Sequence, residues 1–165
     1  MRKVGLLLLV IQIAFTSFGQ AKLTNPRFEQ MLDSLLTHQV QEVLPGDIAM
    51  EQDCIYLDTR EKKEYKVSRI KGATWVGYNS FALKKVRDIP KDQKIIVYCT
   101  VGYRSEKIAE KLVNAGFTNV SNLYGGIFEW VHQDQPVYND TGSTQEVHTY
   151  DKNWSQWLHK GIKKF

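Results

Sequence analysis

The alternation of hydrophobic and polar residues divides the chain into short apolar runs separated by amphipathic or turn-forming segments. The first amphipathic segment starts at Asn25-Pro26, a typical N-cap followed by a typical first helical residue. Its apolar side chains recur every three or four positions, as one face of a helix requires. They are Phe28, Met31, Leu32, Leu35 and Leu36. The pattern predicts an amphipathic helix here.

Five short apolar runs follow, each of a length typical of a β-strand. They are Val40 to Val43, Cys54 to Leu57, Ala73 to Val76, Ile95 to Tyr98 and Val120 to Leu123. The fourth run does not alternate with polar residues, which indicates a strand buried on both faces. Between the fourth and fifth runs, residues 105–114 carry one apolar helical face, and Gly116 follows. This strand, helix, strand order predicts an α/β domain with helices on both faces of a mostly parallel sheet.

Residues 1–19 have the features of a secretory signal peptide. Arg2 and Lys3 precede an apolar run that ends at Phe15, and small residues precede Gln20. A membrane anchor is the alternative, but the run is shorter than the roughly 20 apolar residues needed to span a bilayer. We expect cleavage near Gln20, export to the periplasm or the medium, and no stable membrane insertion of the mature protein.

The other end of the chain carries an aromatic pattern. In residues 138–165, Asp151 can cap a helix that ends at Gly161 and has Trp154 and Trp157 on one face. We expect this face to pack onto the domain. The alternative is a partner or dimer surface, since exposed aromatic side chains favour association.

Composition narrows the possible classes. The chain has 165 residues, of which 42% are hydrophobic and 24% charged, a profile typical of one globular domain. The formal net charge of +4 falls to +2 without Arg2 and Lys3, which is too weak to predict a nucleic-acid partner. No cysteine or histidine spacing predicts a metal site, and Gly125-Gly126 is typical of a tight turn. We therefore expect no metal and no cofactor.

The candidate chemistry lies in the loop Cys99-Thr100-Val101-Gly102-Tyr103-Arg104, directly after a predicted parallel strand. Open α/β sheets bind ligands at that end of their strands. The loop amides, the helix N-terminus near Ser105 and the Arg104 guanidinium would all stabilise negative charge, so we expect Cys99 to be a nucleophilic thiolate. The alternative is that Cys99 is a small buried hydrophobic residue. That interpretation explains neither Gly102, which permits tight curvature, nor Arg104.

Four motifs in this order resemble single-domain rhodaneses. They are Asp58-Thr59-Arg60, Arg69-Ile70-Lys71-Gly72-Ala73, Cys99 to Ser105, and Asn122-Leu123-Tyr124-Gly125-Gly126 followed by Trp130. The resemblance covers roughly residues 40–137 and implies a five-stranded parallel sheet flanked by helices. It also implies sulfur transfer through a persulfide on Cys99, with the loop from Thr100 to Ser105 cradling the sulfur and Asp58 supporting the loop. Arg69 departs from the histidine usual in the family, at a position that does not carry the sulfur.

The resemblance, together with the signal-peptide and helix patterns on either side of it, divides the chain into four parts, and it implies the expected partners. The parts are a signal peptide (1–19), an N-terminal helical segment (20–39), a rhodanese-like domain (40–137) and a C-terminal extension with a Trp-bearing helix (138–165). The expected partners are a small sulfane-sulfur donor and a thiophilic acceptor, either cyanide or a thiol. The sequence does not predict an oligomeric state.

The length of the loop from Cys99 to Arg104 distinguishes a sulfurtransferase from other enzymes with a nucleophilic cysteine. Cysteine-dependent phosphatases use Cys-x5-Arg around a phosphate, whereas four residues separate Cys99 from Arg104 here. The smaller ring suits sulfane sulfur, and Arg104 would attract anionic donors such as thiosulfate. A phosphatase or an arsenate reductase is thus the weaker alternative. A Cys-His hydrolase using His132 or His148 lacks any sign of an orienting third group. A non-catalytic rhodanese-like interaction or thiol-sensing module stays open.

Two further expectations concern residues near the loop. Arg60 should support the site, most simply in an ion pair with Glu61 or Glu64, and the alternative is that it attracts the substrate. Cys54 should be a buried structural thiol at the opposite end of its strand from the loop. At 3.3 Å per residue the offset from Cys99 is roughly 13 Å, beyond the ~7 Å limit between the α-carbons of a disulfide.

Overall fold

The computed structural model describes residues 23–48 and 53–165 of the chain. The signal peptide expected at residues 1–19 lies outside the described residues, so cleavage and export stay predictions. Within the described ranges, no helix is both long and apolar enough to cross a membrane.

Among the described residues, helices and strands alternate from Pro26 to Asn139. The helices are α1 (Pro26–Leu35), α2 (Pro45–Ile48), α3 (Lys62–Val67), α4 (Tyr103–Asn114), α5 (Gly126–His132) and α6 (Lys152–Ser155), with a 3-10 helix at Leu83–Val86. The strands are β1 (Gln41–Val43), β2 (Ile55–Asp58), β3 (Thr74–Trp75), β4 (Ile95–Tyr98), β5 (Val120–Leu123), β6 (Val137–Asn139), β7 (Gly142–Thr144), β8 (Glu146–His148) and β9 (Ile162–Lys164).

The first five strands form one sheet in the order β1-β5-β4-β2-β3, and all of their pairings are parallel. This confirms the predicted α/β class. Successive residues of β4 face opposite sides of the sheet, because Ile96 packs in one hydrophobic cluster and Ile95 in the other. Helices α1 and α5 cover the first cluster and α4 covers the second.

The predicted strands agree with the structure best where both faces of the sheet are covered. The bounds of β4 and β5 match the predicted runs, and all of their residues are buried. Strand β2 begins one residue later than predicted and extends to Asp58, which pairs with Tyr98 of β4. Strand β3, at the sheet edge, has only two residues.

Two predicted helix starts have different outcomes. The Asn25 side chain accepts hydrogen bonds from the amides of Arg27 and Phe28, which confirms the predicted cap of α1. Helix α4, in contrast, begins at Tyr103, two residues before the predicted start. Gly102 adopts a φ of 118°, in the left-handed region, and turns the chain into the helix at once. Tyr103 and Arg104 therefore lie in the first turn of α4.

The two cysteines lie near opposite ends of the neighbouring strands β2 and β4. Ile55 is level with Ile95, so Cys54 lies before the amino end of the pair, while Cys99 follows its carboxyl end. This register puts Cys54 level with Lys94, five positions before Cys99, or about 16 Å, so the prediction that the two cysteines are too far apart for a disulfide is confirmed. Cys54 is half-buried and packs against the cluster under α1 and α5, so the prediction of a buried structural thiol is met only in part. No disulfide links the two residues.

The C-terminal extension packs onto the domain, as predicted, but its helix is shorter. Asp151 caps α6 by accepting the Trp154 amide, yet the helix ends at Ser155 and not near Gly161. Beyond it, the Trp157 ring stacks on Phe28 of α1 with ring centroids 5.8 Å apart. The extension thus follows the surface of the domain instead of continuing as a helix.

Candidate active site

The Cys99 side chain lies at the carboxyl end of β4 and is almost fully buried, with 1% of its surface exposed. Its Sγ accepts a hydrogen bond from the Gly102 amide at 3.2 Å. A backbone N–H aimed at sulfur stabilises negative charge that develops there. The expected amide cradle therefore includes at least the Gly102 amide.

A polar brace beneath the loop holds Gly102 in place. The Asn122 side-chain amide donates to the Gly102 carbonyl at 3.1 Å. The Ser105 hydroxyl lies 2.7 Å from Asn122 Oδ1 and 3.0 Å from the same carbonyl. Ser105 is fully buried, and its hydroxyl supports the loop from below.

A second support comes from α5 and was not anticipated from the sequence. The amides of Ile127 and Phe128 donate to the carbonyls of Cys99 and Thr100 at 2.9 and 3.2 Å. This approach requires glycine at 126, because a Cβ there would lie 2.6 Å from both carbonyl oxygens. The Gly125-Gly126 pair, predicted only as a turn, is the sequence signal for this contact.

Arg104 is held by a carboxylate that the sequence reasoning did not assign to it. Its Nη1 donates to Glu64 Oε2 at 2.8 Å, and its Nη2 donates to Glu64 Oε1 at 2.9 Å. Nη2 also donates to the Thr100 hydroxyl at 2.8 Å, and that hydroxyl donates to Glu64 Oε1 at 2.9 Å. Glu64, Arg104 and Thr100 thus form one closed network that ties α3 to the loop.

The charge state of Glu64 follows from this network. Burial alone would raise the pKa of the Glu64 carboxyl, but the hydrogen bonds and charge of Arg104, with the nearby charge of Arg60, outweigh burial and lower the pKa. Glu64 is therefore a carboxylate at neutral pH. It offsets most of the positive charge that Arg104 would otherwise present to a ligand.

Arg60 and Asp58 form a second, fully buried pair. Arg60 Nη2 lies 2.6 Å from Asp58 Oδ2, and its Nε lies 3.1 Å from both carboxylate oxygens. The prediction that Arg60 forms its ion pair with Glu61 or Glu64 is therefore wrong. Arg60 Nη2 also donates to the Ser68 carbonyl at 2.6 Å. The pair thus connects the end of β2 to the end of α3 and helps to hold these two elements at the site.

A cavity of about 400 Å³ opens over Cys99. Of the predicted loop residues, Thr100, Val101, Tyr103 and Arg104 line it together with Cys99. Six more residues complete the lining: Leu35, Glu61, Tyr78, Asn79, Tyr150 and Trp154. Most of these side chains are apolar or aromatic. Leu35, from α1, and the two aromatic residues of the extension were not predicted as site residues.

The two histidines considered for a hydrolase have other partners. His132 lies 3.3 Å from Glu129 through Nδ1, and its Nε2 accepts the His159 amide. His148 Nδ1 accepts the Tyr150 amide at 3.0 Å. Within residues 23–48 and 53–165, neither imidazole is hydrogen-bonded to Cys99, so the nucleophile and base pair of a Cys-His hydrolase is not assembled. The same residues contain no cluster of side chains able to hold a metal ion.

Curated proteins with similar sequences share only part of their length with this chain. A tRNA uridine(34) hydroxylase from Acinetobacter baumannii is 33% identical over 107 residues, covering 62% of this chain and 34% of the relative. One of the same name from Bdellovibrio bacteriovorus is 36% identical over 87 residues, covering 50% and 25%. The chain therefore spans about a third or less of the length of these relatives.

Solved structures share the fold at low sequence identity. The BH2092 protein from Bacillus halodurans superposes with a TM-score of 0.56 at 24% identity, covering 72% of this chain and 89% of that one. A thiosulfate sulfurtransferase from Pseudomonas aeruginosa gives 0.57 at 19% identity, covering 79% and 25%. The sequence model of the rhodanese-like domain matches residues 46–133, more than half of the chain. The chain belongs to the rhodanese-like domain family.

Proposed function

We propose that this protein is a sulfurtransferase that carries sulfane sulfur as a persulfide on Cys99. The observation that carries the proposal is the position of Sγ: it lies at the base of the cavity, 3.2 Å from an inward-pointing backbone amide, in a loop braced from three sides. A braced thiol beneath a cavity of substrate size suits covalent transfer, because the nucleophile and the donor meet without reorganisation of the loop.

The proposed reaction has two halves. The Cys99 thiolate attacks the outer sulfur of a donor such as thiosulfate, the sulfur–sulfur bond of the donor breaks, and sulfite leaves with the bonding electron pair. The Gly102 amide stabilises charge on the persulfide. Cyanide or a thiol then removes the outer sulfur and restores the thiolate, so the kinetics are ping-pong.

The name of the curated relatives describes a different reaction, the hydroxylation of a tRNA uridine. We do not extend that substrate to this chain, because the lining over Cys99 is mainly apolar and its arginine is already paired with Glu64. A strand of RNA is held chiefly through its phosphates, which require unpaired cationic side chains.

Mass spectrometry of the intact protein tests the proposal. Incubation with millimolar thiosulfate, or with an organic thiosulfonate, should add the mass of one sulfur atom, and cyanide should remove it as thiocyanate. Cys99→Ser should abolish the addition. Cys54→Ser is the matched control and should retain the added sulfur. Cys54 precedes the amino end of β2, which is the end away from the Cys99 loop.

If neither donor adds sulfur to the wild-type protein, the sulfurtransferase proposal is wrong. The alternative of a rhodanese-like interaction or thiol-sensing module would then replace it. Addition of sulfur to Cys99→Ser but not to Cys54→Ser would assign the chemistry to the wrong cysteine and would also overturn the proposal.

A further inference from the structure

The cavity over Cys99 is completed by residues that lie outside the family match. The match covers residues 46–133, whereas Tyr150 and Trp154 come from the C-terminal extension. With Tyr78 and Tyr103 they place four aromatic rings in the lining. A family domain on its own would leave this side of the cavity open, so the extension contributes directly to what the cavity can bind.

Tyr150 is fixed in an unfavourable backbone conformation. Its φ is 67°, in the left-handed region that residues other than glycine rarely adopt. The buried imidazole of His148 accepts the Tyr150 amide, and the Tyr150 ring lies 5.0 Å from the Arg104 guanidinium carbon. Strain of this kind persists only where surrounding contacts impose it, and it gathers at ligand-binding positions.

Trp154 is positioned by the short helix α6. Its amide is bound by the Asp151 carboxylate at the start of α6. Two residues after the helix, Trp157 anchors the segment by stacking on Phe28. Both tryptophans pack against the core cluster, and Trp154 also lines the cavity.

The charges in the cavity do not favour a small dianion. Within the part of the chain that the structure describes, Arg104 is the only basic side chain lining the cavity, and Glu64 binds two of its nitrogens. Glu61 lines the same cavity with a carboxyl group. Thiosulfate would have to surrender much of its hydration to enter a mainly aromatic cavity whose cation is already paired.

We propose that the C-terminal extension makes this site select an organic sulfur donor whose apolar substituent, about the size of one ring, packs against Tyr150 and Trp154. This inference rests on the proposed sulfur transfer through Cys99 and specifies its donor class. The Cys99 thiolate attacks the outer sulfur of R–S–SH, the S–S bond of the donor breaks, and R–S⁻ leaves with the electron pair while Cys99 holds the S–SH group. No external oxidant or reductant is required.

Two organic thiosulfonates isolate the contribution of the ring. Benzenethiosulfonate and methanethiosulfonate both carry one negative charge and one transferable sulfur, and both leave as sulfinates. We expect kcat/KM for benzenethiosulfonate to exceed that for methanethiosulfonate by about tenfold or more, the usual gain from burying an apolar group of this size. The gain should lie mainly in KM, because the ring packs equally in the ground and transition states. Thiosulfate should be the weakest of the three donors.

Substitutions in the extension locate the effect. Tyr150→Ala and Trp154→Ala should each reduce the preference for benzenethiosulfonate to about threefold or less, measured as the ratio of kcat/KM for the two thiosulfonates within each variant. Turnover of the smaller donor also shows that each variant is folded. Phe165→Ala is the matched control, since this aromatic residue of the same extension is 63% exposed and does not line the cavity. It should keep the full preference.

The outcomes separate this inference from the proposed function. Failure of all three donors to sulfurate Cys99 overturns both. Equal kcat/KM for the two thiosulfonates, or a preference that survives both Tyr150→Ala and Trp154→Ala, overturns the donor class alone and leaves sulfur transfer standing. Thiosulfate as the best donor would also contradict the inference.

Discussion

At the scale of single residues, the pairing of the charged side chains around the loop is one part of the site that the sequence does not predict. Arg60 pairs with Asp58, two residues away, and Arg104 pairs with Glu64, forty residues away. Local spacing favoured Glu61 or Glu64 for Arg60, but the fold turns β2 and α3 so that Glu64 faces the loop. Such a pairing depends on where the fold places α3 relative to the loop between β4 and α4, and no periodicity in the sequence records that placement.

Arg104→Ala should therefore affect stability as well as donor binding. Glu64 is fully buried and would lose its counter-charge, which costs about 3–5 kcal/mol. The double variant Glu64→Gln with Arg104→Ala should recover much of this loss, because no unpaired charge is then buried. Urea unfolding of the wild type, both single variants and the double variant measures the coupling. Additive losses in the double variant would show that the pair contributes little.

Gly126→Ala should disrupt the loop by direct collision. Its Cβ would meet the carbonyl oxygens of Cys99 and Thr100, so the loop must shift, at a cost of about 3 kcal/mol or more, and sulfur transfer should fall steeply. Gly72→Ala is the matched control: it also has a positive φ, of 74°, but nothing lies within 4 Å of its Cβ. It should cost only about 1–2 kcal/mol and keep activity. Equal effects of the two variants would assign the loss to backbone strain and not to the collision.

At the scale of elements, the sequence predicts the bounds of strands that are buried on both faces accurately. It predicts the bounds of elements at the periphery of the domain less accurately. Strands β4 and β5 lie between two covered faces, so their apolar runs are continuous and their bounds are clear. Helix α6 has only four residues, too few to be stable without packing, and its end is decided by the contact of Trp157 with Phe28. Side-chain periodicity in the extension continued past that point, which is why it predicted too long a helix.

Removal of the extension tests its structural role. A protein ending at Thr149 loses the Trp157 and Leu158 side chains from the core, worth about 3 kcal/mol or more in transfer free energy. We expect the melting temperature to fall by at least about 6 °C, measured by circular dichroism. An unchanged melting temperature and an unchanged mass in solution would contradict both packing onto the domain and a role in association.

At the scale of the whole molecule, three buried carboxylates join separate segments to the domain. Glu64 binds the active-site loop, Glu106 of α4 accepts the amides of Thr37 and His38, and Glu129 of α5 accepts the Thr24 amide. Burial alone would raise the pKa of each carboxyl, but the hydrogen bonds and the neighbouring basic groups outweigh it and lower all three pKa values.

The protein should therefore lose stability in acid. Because the three carboxyls have lower pKa values when folded than their ordinary 4.5, their contribution is complete above about pH 4.5 and is lost as the pH falls through the lower folded values. Chemical unfolding at pH 7, 5, 4 and 3 should show a plateau followed by a decline. Glu106→Gln should begin with lower stability at pH 7 and show a shallower decline. A flat profile down to pH 3 would be inconsistent with the lowered pKa values.

The contact between α1 and the C-terminal extension has a consequence for the order of folding. Phe28 stacks on Trp157, and the Asn25 side chain lies 2.8 Å from His159 Nε2, across 134 positions of the chain. Contacts this distant in sequence form late, since the intervening chain must be ordered before they are favourable. The central sheet and the Cys99 loop precede residues 150–165 along the chain and can assemble before them, but the aromatic side of the cavity cannot. Tyr150 and Trp154 therefore complete the cavity over Cys99 only after the thiol and its loop are in place.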